Sequence, residues 1–288
     1  MSGLLAAILG LVQGLAEFLP ISSSGHLNLI QALTNVDLDH QLLFNVLLHV
    51  GSLVAVLVVF WRDWIEMILH PIKNKTLLLL FIASLPALAA KLLFGDQVDY
   101  LETHNVLLGV CFLFTGLLLL LTQWLSRRNE NAGGESGKVG WLNALVMGCM
   151  QAVGLLPGVS RSGSTIFGGV ASKLNRETAA KFSFMMSMPA IVGSLLLEGY
   201  HAVKAGALST TTSSELIAVA VGMVVAGVSG YLAIRFMLKI IARVSLNWFA
   251  LYVILLGIVV IALQATGVMT DAPDAVAETV RGIAGMVG

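Results

Sequence analysis

Charge is what this chain has least of: only 11% of its 288 residues are Asp, Glu, Lys or Arg, against 57% that are hydrophobic. With a mean hydropathy of +0.91, that scarcity excludes an ordinary soluble domain, in which about a quarter of residues are charged. Sixteen basic and sixteen acidic residues cancel to a formal net charge of zero, so nothing in the balance points to a nucleic acid or to a basic membrane-surface patch. Cysteine is scarce too. Cys111 and Cys149 both fall in apolar stretches, which excludes a disulfide framework and a thiolate metal site and leaves them as packing residues. No Lys or Arg precedes the first apolar run and no small-residue cleavage site ends it. A cleaved signal peptide is therefore not expected, and the chain is expected to insert through its own spans.

What is present is apolar sequence in membrane-length pieces. At ~20 residues per crossing, full spans are expected at 41–61, 76–94, 105–125, 179–198, 215–236 and 246–266. Two more apolar regions, 3–35 and 141–172, are interrupted at Pro20–Gly25 and Pro157–Gly163. Each half is too short to cross, so each region reads as a re-entrant helix-loop-helix hairpin, tolerated at that depth only inside protein or beside a wet cavity.

Shifting the sequence by 138 positions lays it on itself. Gln13 falls on Gln151, Ser22 on Ser160, Ser24 on Ser162, Gly25 on Gly163 and Phe44 on Phe182, while Pro20 matches Pro157 with a slip of one. The chain is thus read as an all-α polytopic membrane protein built from two copies of one unit, a re-entrant hairpin plus three spans. Repeat 1 covers 1–125, a polar, Gly-rich and mobile cytoplasmic linker 126–140, repeat 2 covers 141–266, and a tail of no assigned function 267–288. Because three is odd, the second copy enters from the opposite face, giving an inverted-topology repeat.

Basic residues support that arrangement. With the 62–75 loop in the cytoplasm, twelve of the sixteen lie inside; only Lys91, Lys204 and Arg281 lie outside, and Arg161 sits in a hairpin. Such a bias is the positive-inside rule, and all five tryptophans fall at the same interface. The two broken tips then meet near the midplane, as in secondary transporters. A pairing such as Ala226 with Gly230 leaves packing within one chain and a homodimer both open.

Polar groups at such depth are costly enough to be read as functional. The first break offers Gln13, Glu17, Ser22, Ser23, Ser24, Gly25 and His26; the second offers Ser160, Arg161, Ser162, Gly163, Ser164 and Thr165. Two half-helix N-termini facing each other, with Arg161 between them, suit phosphate or pyrophosphate; the plainer reading of Arg161 is a cation that satisfies carbonyls at the break. Ser22, Ser160 and Ser162 are well explained as groups that cap and hydrogen-bond the broken backbone. Ser23 occupies the repeat position held by Arg161, so the two are expected to approach each other across the site. Glu17 lies one helical turn from Gln13 on the same face, fit to accept a proton or hold a hard cation, or only to hydrogen-bond in a helix interface. Glu, Ser and His on one tip and a guanidinium on the other describe phosphoryl transfer to a side chain and then to water; the plainer reading of His26 is a core histidine bonded to a carbonyl. His49, on a full span, is read as structural or as lining the same cavity.

Two motifs, Gln13-Gly-Leu-Ala-Glu17 running into Pro20-Ile-Ser-Ser-Ser-Gly-His26, and Pro157-Gly-Val-Ser-Arg161-Ser-Gly-Ser-Thr165, make the chain resemble the bacterial undecaprenyl-pyrophosphate phosphatases of the bacitracin-resistance type. That resemblance implies hydrolysis of a C55 isoprenyl pyrophosphate to the monophosphate and inorganic phosphate, renewing the lipid carrier for cell-wall synthesis. It further implies a divalent cation, Mg²⁺ or Ca²⁺, in the inner membrane with a site open to the periplasm. By motif position it assigns catalysis to Glu17, Ser23, His26 and Arg161. Gln13, at a position often Glu in that family, is the companion candidate to Glu17 as metal ligand, and Ser24 stands where Thr is common. Ser23 and His26 both stay open as the nucleophile. The rival is a transporter or flippase for an anion or lipid phosphate, which would need binding groups at the breaks but no Glu, Ser and His confined to one copy.

Overall fold

The computed structural model describes residues 2–34, 41–71, 74–131, 133–134, 136–204, 213–266 and 269. They form eleven helices: α1 (Gly3–Phe18), α2 (Ser23–Thr34), α3 (Gln41–Val59), α4 (Trp61–Leu69), α5 (Thr76–His104), α6 (Leu108–Asn131), α7 (Trp141–Val153), α8 (Arg161–Ala171), α9 (Arg176–Lys204), α10 (Ser213–Ile240) and α11 (Asn247–Ala265). No strand occurs among the described residues. Helices α5, α6, α9, α10 and α11 are each long and apolar enough to cross a bilayer, and α3 makes a sixth when its 73° bend into α4 is taken as one broken span. Leading arms α1 (16 residues) and α7 (13 residues) fall short of the ~30 Å hydrocarbon core at ~1.5 Å per residue. Both hairpins therefore turn back, and the protein is an all-α, multi-pass membrane protein.

Three details differ from the sequence expectation. The segment after 61, expected as a loop, opens with α4, because Trp61, Trp64, Ile65, Ile68 and Leu69 recur at helical spacing. This helix buries Trp64 and Met67 and exposes Trp61, Ile65, Ile68 and Leu69 beside Arg62 and Glu66, the pattern of a helix lying in the interface. Helix α5 continues ten residues past position 94, but with Phe94 at φ −128°, ψ 18° the two parts are kinked. And α6 runs on to Asn131; beyond it Ser136 pairs by backbone with the turn at 173–175, donating to Lys173 O at 2.8 Å and accepting from Asn175 N at 3.1 Å.

Packing between the two copies is reciprocal. Arm α1 of the first packs along α10 of the second, and α7 of the second packs along α5 of the first, while α6 meets α11 and α3 meets α9. The closest approaches obey the same exchange. A Cβ on Gly10 would run into the Gly222 carbonyl of α10, and a Cβ on Gly148, its repeat partner, would lie 2.5 Å from the Ala83 carbonyl of α5. Without a hydrophobic gradient between helices in lipid, such close backbone contact is what holds them. Ala226 and Gly230 serve within the chain, facing Gly14 of α1 and Ala55 of α3. At the end of the molecule bearing the linker, buried Arg176 donates through Nε to Ser126 Oγ (2.9 Å) and through Nη1 to Val244 O (3.1 Å), tying α9 to α6 and to the turn before α11. The tail residues Val276, Val280 and Ile283, whose spacing in the sequence is weakly amphipathic, lie outside the described residues, as do Lys73 and Arg281 of the charge count.

Candidate active site

The two breaks turn at different positions but are capped by equivalent residues, Ser22 and Ser160. Pro20 interrupts the first, and Ser22 turns the chain with φ +71°; its Oγ then accepts from the Gly25 N–H at 3.3 Å and starts α2. In the second, Gly158 turns with φ +91°, and Ser160 Oγ accepts from the Gly163 N–H at 3.1 Å to cap α8. Both serines therefore do the capping read from sequence, each meeting one of the N–H groups that a half-helix leaves unpaired at its start. A residue of α6 clamps the second break: Thr115 Oγ1 donates to Gly158 O (3.1 Å) and accepts from Ser160 N–H (2.9 Å). The tips touch. Ser162 Oγ donates to the Leu19 carbonyl at 3.2 Å, and the Arg161 guanidinium pairs with Glu17.

Glu17 is the point where these elements converge. Its Oε2 accepts from Ser23 Oγ at 2.6 Å and from Gln13 Nε2 at 3.0 Å, its Oε1 accepts from Arg161 Nη2, and His49 Nε2 lies 3.5 Å from Oε2. Three helices, α2, α3 and α8, thus send one group each to a single carboxylate on α1, with Gln13 added from α1's own preceding turn. These charged and hydrogen-bonding partners stand in for the hydration that a buried carboxylate loses. Its short bond to Ser23 puts a proton acceptor directly on that hydroxyl.

The two histidines divide differently than the motif suggests. His26 Nδ1 is 2.6 Å from the Ser22 carbonyl and Nε2 is 2.7 Å from the Tyr252 hydroxyl, with its ring stacked on Tyr252 and edge-on to Phe112. A carbonyl only accepts, so Nδ1 carries the hydrogen, and in the neutral ring Nε2 accepts from the phenol. Both nitrogens are engaged, and the ring steadies the left-handed Ser22 turn, a conformation that costs a side-chain-bearing residue about 1 kcal/mol or more. His49 Nδ1 likewise donates to the Asn45 carbonyl at 2.7 Å, which leaves Nε2 facing Glu17.

A cavity of about 330 Å³ opens at this point, lined by Glu17, Ser22, Ser23, Ser24, Ser160 and Arg161, with His49, Asn45 and Gln151, and continued by Leu88, Leu155, Ile191 and Leu197. Gly25, His26, Ser162, Gly163, Ser164 and Thr165 stand outside its lining. Ser164 and Thr165 turn their hydroxyls back to the Arg161 carbonyl (3.0 and 2.8 Å), and Thr165 also meets Ser183 Oγ at 2.6 Å. Lys91 and Asp99, paired across the α5 kink at 2.5 Å, face the cavity as well. Several buried polar atoms around the site have no protein partner among the described residues: Gln13 Oε1, Asn45 Nδ2, Arg161 Nη1 and both polar atoms of Gln151.

Sequence reading missed Thr115, Tyr252, Asn45, Gln151 and the Lys91–Asp99 pair as parts of this site. Only Gln151 carried a signal, its repeat correspondence to Gln13. Thr115 and Tyr252 are single polar residues on apolar spans, and their neighbours across the bundle could not be known from the chain.

With this geometry in view, the likenesses to other proteins are informative. Residues 6–259 match the model of the family described as bacitracin resistance protein BacA. The chain is similar to an undecaprenyl-diphosphatase of Carboxydothermus hydrogenoformans, 40% identical over 93% of this chain and 99% of the relative. It is also similar to undecaprenyl-diphosphatase 4 of Bacillus thuringiensis subsp. konkukian, at 39% over 93% and 100%, and to an undecaprenyl-diphosphatase of Thermodesulfovibrio yellowstonii, at 34% over 90% and 96%. Agreement over nearly the whole length, breaks and spans included, makes this chain a member of the bacitracin resistance protein BacA family.

Proposed function

We propose that the protein hydrolyses undecaprenyl pyrophosphate to undecaprenyl phosphate and inorganic phosphate, renewing the lipid carrier for peptidoglycan synthesis and thereby conferring bacitracin resistance. The observation that carries the mechanism is the 2.6 Å bond from Ser23 Oγ to Glu17 Oε2, on the tip facing Arg161. Ser23 Oγ attacks the terminal phosphorus while its proton passes to Glu17. The P–O bond to the prenyl phosphate breaks with its electron pair on that leaving group, which takes the proton from Glu17. Water then attacks the phosphoserine, gives a proton to Glu17, and Ser23 leaves with it. Arg161 and the N–H groups opening α2 and α8 offset charge on the phosphoryl oxygens. Serine is favoured over His26 as nucleophile because both imidazole nitrogens are already bonded; His26 is a positioning residue for the Ser22–Ser23 turn, and His49 is the imidazole beside the carboxylate.

A hard divalent cation, Mg²⁺ or Ca²⁺, fits the donors present. Glu17 and the unpartnered, fully buried Oε1 of Gln13 would be the oxygen ligands, since Mg²⁺ is commonly held by one or two carboxylates plus substrate phosphates. When bound it neutralises pyrophosphate charge. The site belongs to the periplasmic side of a bacterial inner membrane: the cavity follows α5 beyond Ser84 and α9 beyond Pro189, the halves away from the basic loops. Its apolar wall suits the first isoprene units, with the rest of the chain in lipid. Transport is not favoured, since Glu17 and Ser23 form a nucleophile–base pair that the second tip does not repeat.

The test is phosphate release from a long-chain prenyl pyrophosphate by purified protein in detergent, with Ser23→Ala and Arg161→Ala alongside. Loss of release in both variants, and label from the terminal phosphate mapped to Ser23 in wild type, is the expected result. No release from well-folded wild type refutes the hydrolase, and a phosphohistidine refutes the serine assignment.

A further inference from the structure

Gln151 is the most conspicuous polar group that the mechanism leaves unused. Its side chain is 1% exposed, lines the cavity beside Arg161, and has no partner among the described residues for either Oε1 or Nε2. The repeat explains why. Gln13, its counterpart, donates Nε2 to Glu17 one turn on; one turn on from Gln151 stands Leu155, which can accept nothing. A buried primary amide without partners is costly, and this one lines the same cavity as Glu17, Ser23 and Arg161.

The other unpartnered groups lining the cavity, Arg161 Nη1 and Asn45 Nδ2, are donors, and phosphoryl oxygens satisfy them. Gln151 also presents an acceptor, which an ionised phosphate cannot serve. Water can. Resting on the two-step reading above, we propose that Gln151 is a catalytic residue of the second step: Oε1 accepts from the hydrolytic water while Nε2 donates to an oxygen of the phosphoserine, holding nucleophile and electrophile together. A glutamine that orients attacking water is an established device in phosphoryl transfer. In that step the water oxygen–phosphorus bond forms, the phosphorus–Ser23 Oγ bond breaks, and the water proton reaches Oγ through Glu17.

The experiment compares wild type, Gln151→Leu and Gln151→Leu/Ser23→Ala on a prenyl pyrophosphate labelled in its terminal phosphate, with acid quenching and thermal unfolding. Gln151→Leu is expected to release about one prenyl monophosphate per enzyme in a burst and then slow at least about tenfold, with label accumulating on Ser23. Its melting temperature is expected to equal or exceed that of wild type, because an unsatisfied amide gives way to a side chain that wants no partner. The double variant carries no label. Wild-type turnover in Gln151→Leu, slowing without accumulated label, or a clearly lower melting temperature each overturns the inference. Wild-type hydrolysis in which no enzyme ever carries label refutes the serine intermediate itself, and the role of Gln151 with it.

Discussion

Thr115 offers the sharpest test of how the second break is held. It stands on α6, outside both motifs, and among the described residues its hydroxyl is the partner of both the Gly158 carbonyl (3.1 Å) and the Ser160 N–H (2.9 Å). Thr115→Val keeps the shape and removes both bonds. Gly158 and Ser160 are buried, so no water replaces the hydroxyl, and two orphaned groups at about 1–3 kcal/mol each put the loss near 2–4 kcal/mol once local relaxation is allowed for. Such a loss lowers the melting temperature by roughly 5–10 °C. Arg161 follows Ser160 directly, so a loosened break also displaces the guanidinium, and a misplacement of about 1 Å is worth up to ~100-fold in rate. Phosphate release from a prenyl pyrophosphate and thermal unfolding in the same detergent measure both effects, with Thr115→Ser, which keeps the hydroxyl, expected to stay within about twofold of wild type on the same reasoning. A Thr115→Val protein that melts with wild type and turns over at the wild-type rate would show that α6 does not hold the break.

Gly10→Ala and Gly148→Ala each force a methyl into a facing carbonyl on α10 or α5, and each is expected to lose about 1–3 kcal/mol by overpacking, read as a lowered melting temperature. Gly199→Ala, where a Cβ meets nothing within 4 Å, serves as the neutral control. Tyr252→Phe deletes the 2.7 Å partner of His26 Nε2 and is expected to lower stability by about 1 kcal/mol with only a modest fall in turnover. Equal damage from Tyr252→Phe and His26→Ala to the chemical step, seen in single turnovers, would argue for an imidazole that acts on substrate. Chelation is expected to abolish phosphate release and Mg²⁺ to restore it, with Gln13→Met raising the Mg²⁺ concentration needed; unchanged Mg²⁺ dependence in that variant would remove Gln13 from the metal's ligands.

Much of this protein was legible along the chain because membrane insertion writes itself in local composition. Span lengths and the two prolines that break the hairpins are properties of neighbouring residues. So are the serine caps, since a cap bonds three positions away. From the repeat, Ser23 could be expected opposite Arg161, but that both meet on Glu17 could not. Which imidazole reached the carboxylate could not: His26 lies in the motif, yet Tyr252, 226 residues away, holds its far nitrogen, and a full span brings His49 instead. Thr115 at the second break and the unpartnered Gln151 were likewise decided by helix packing, as was the turn of α4 away from α3. Periodicity and turn chemistry act over a few residues and determine elements; the reactive arrangement depends on groups from α1, α2, α3 and α8 whose separations only the tertiary structure sets.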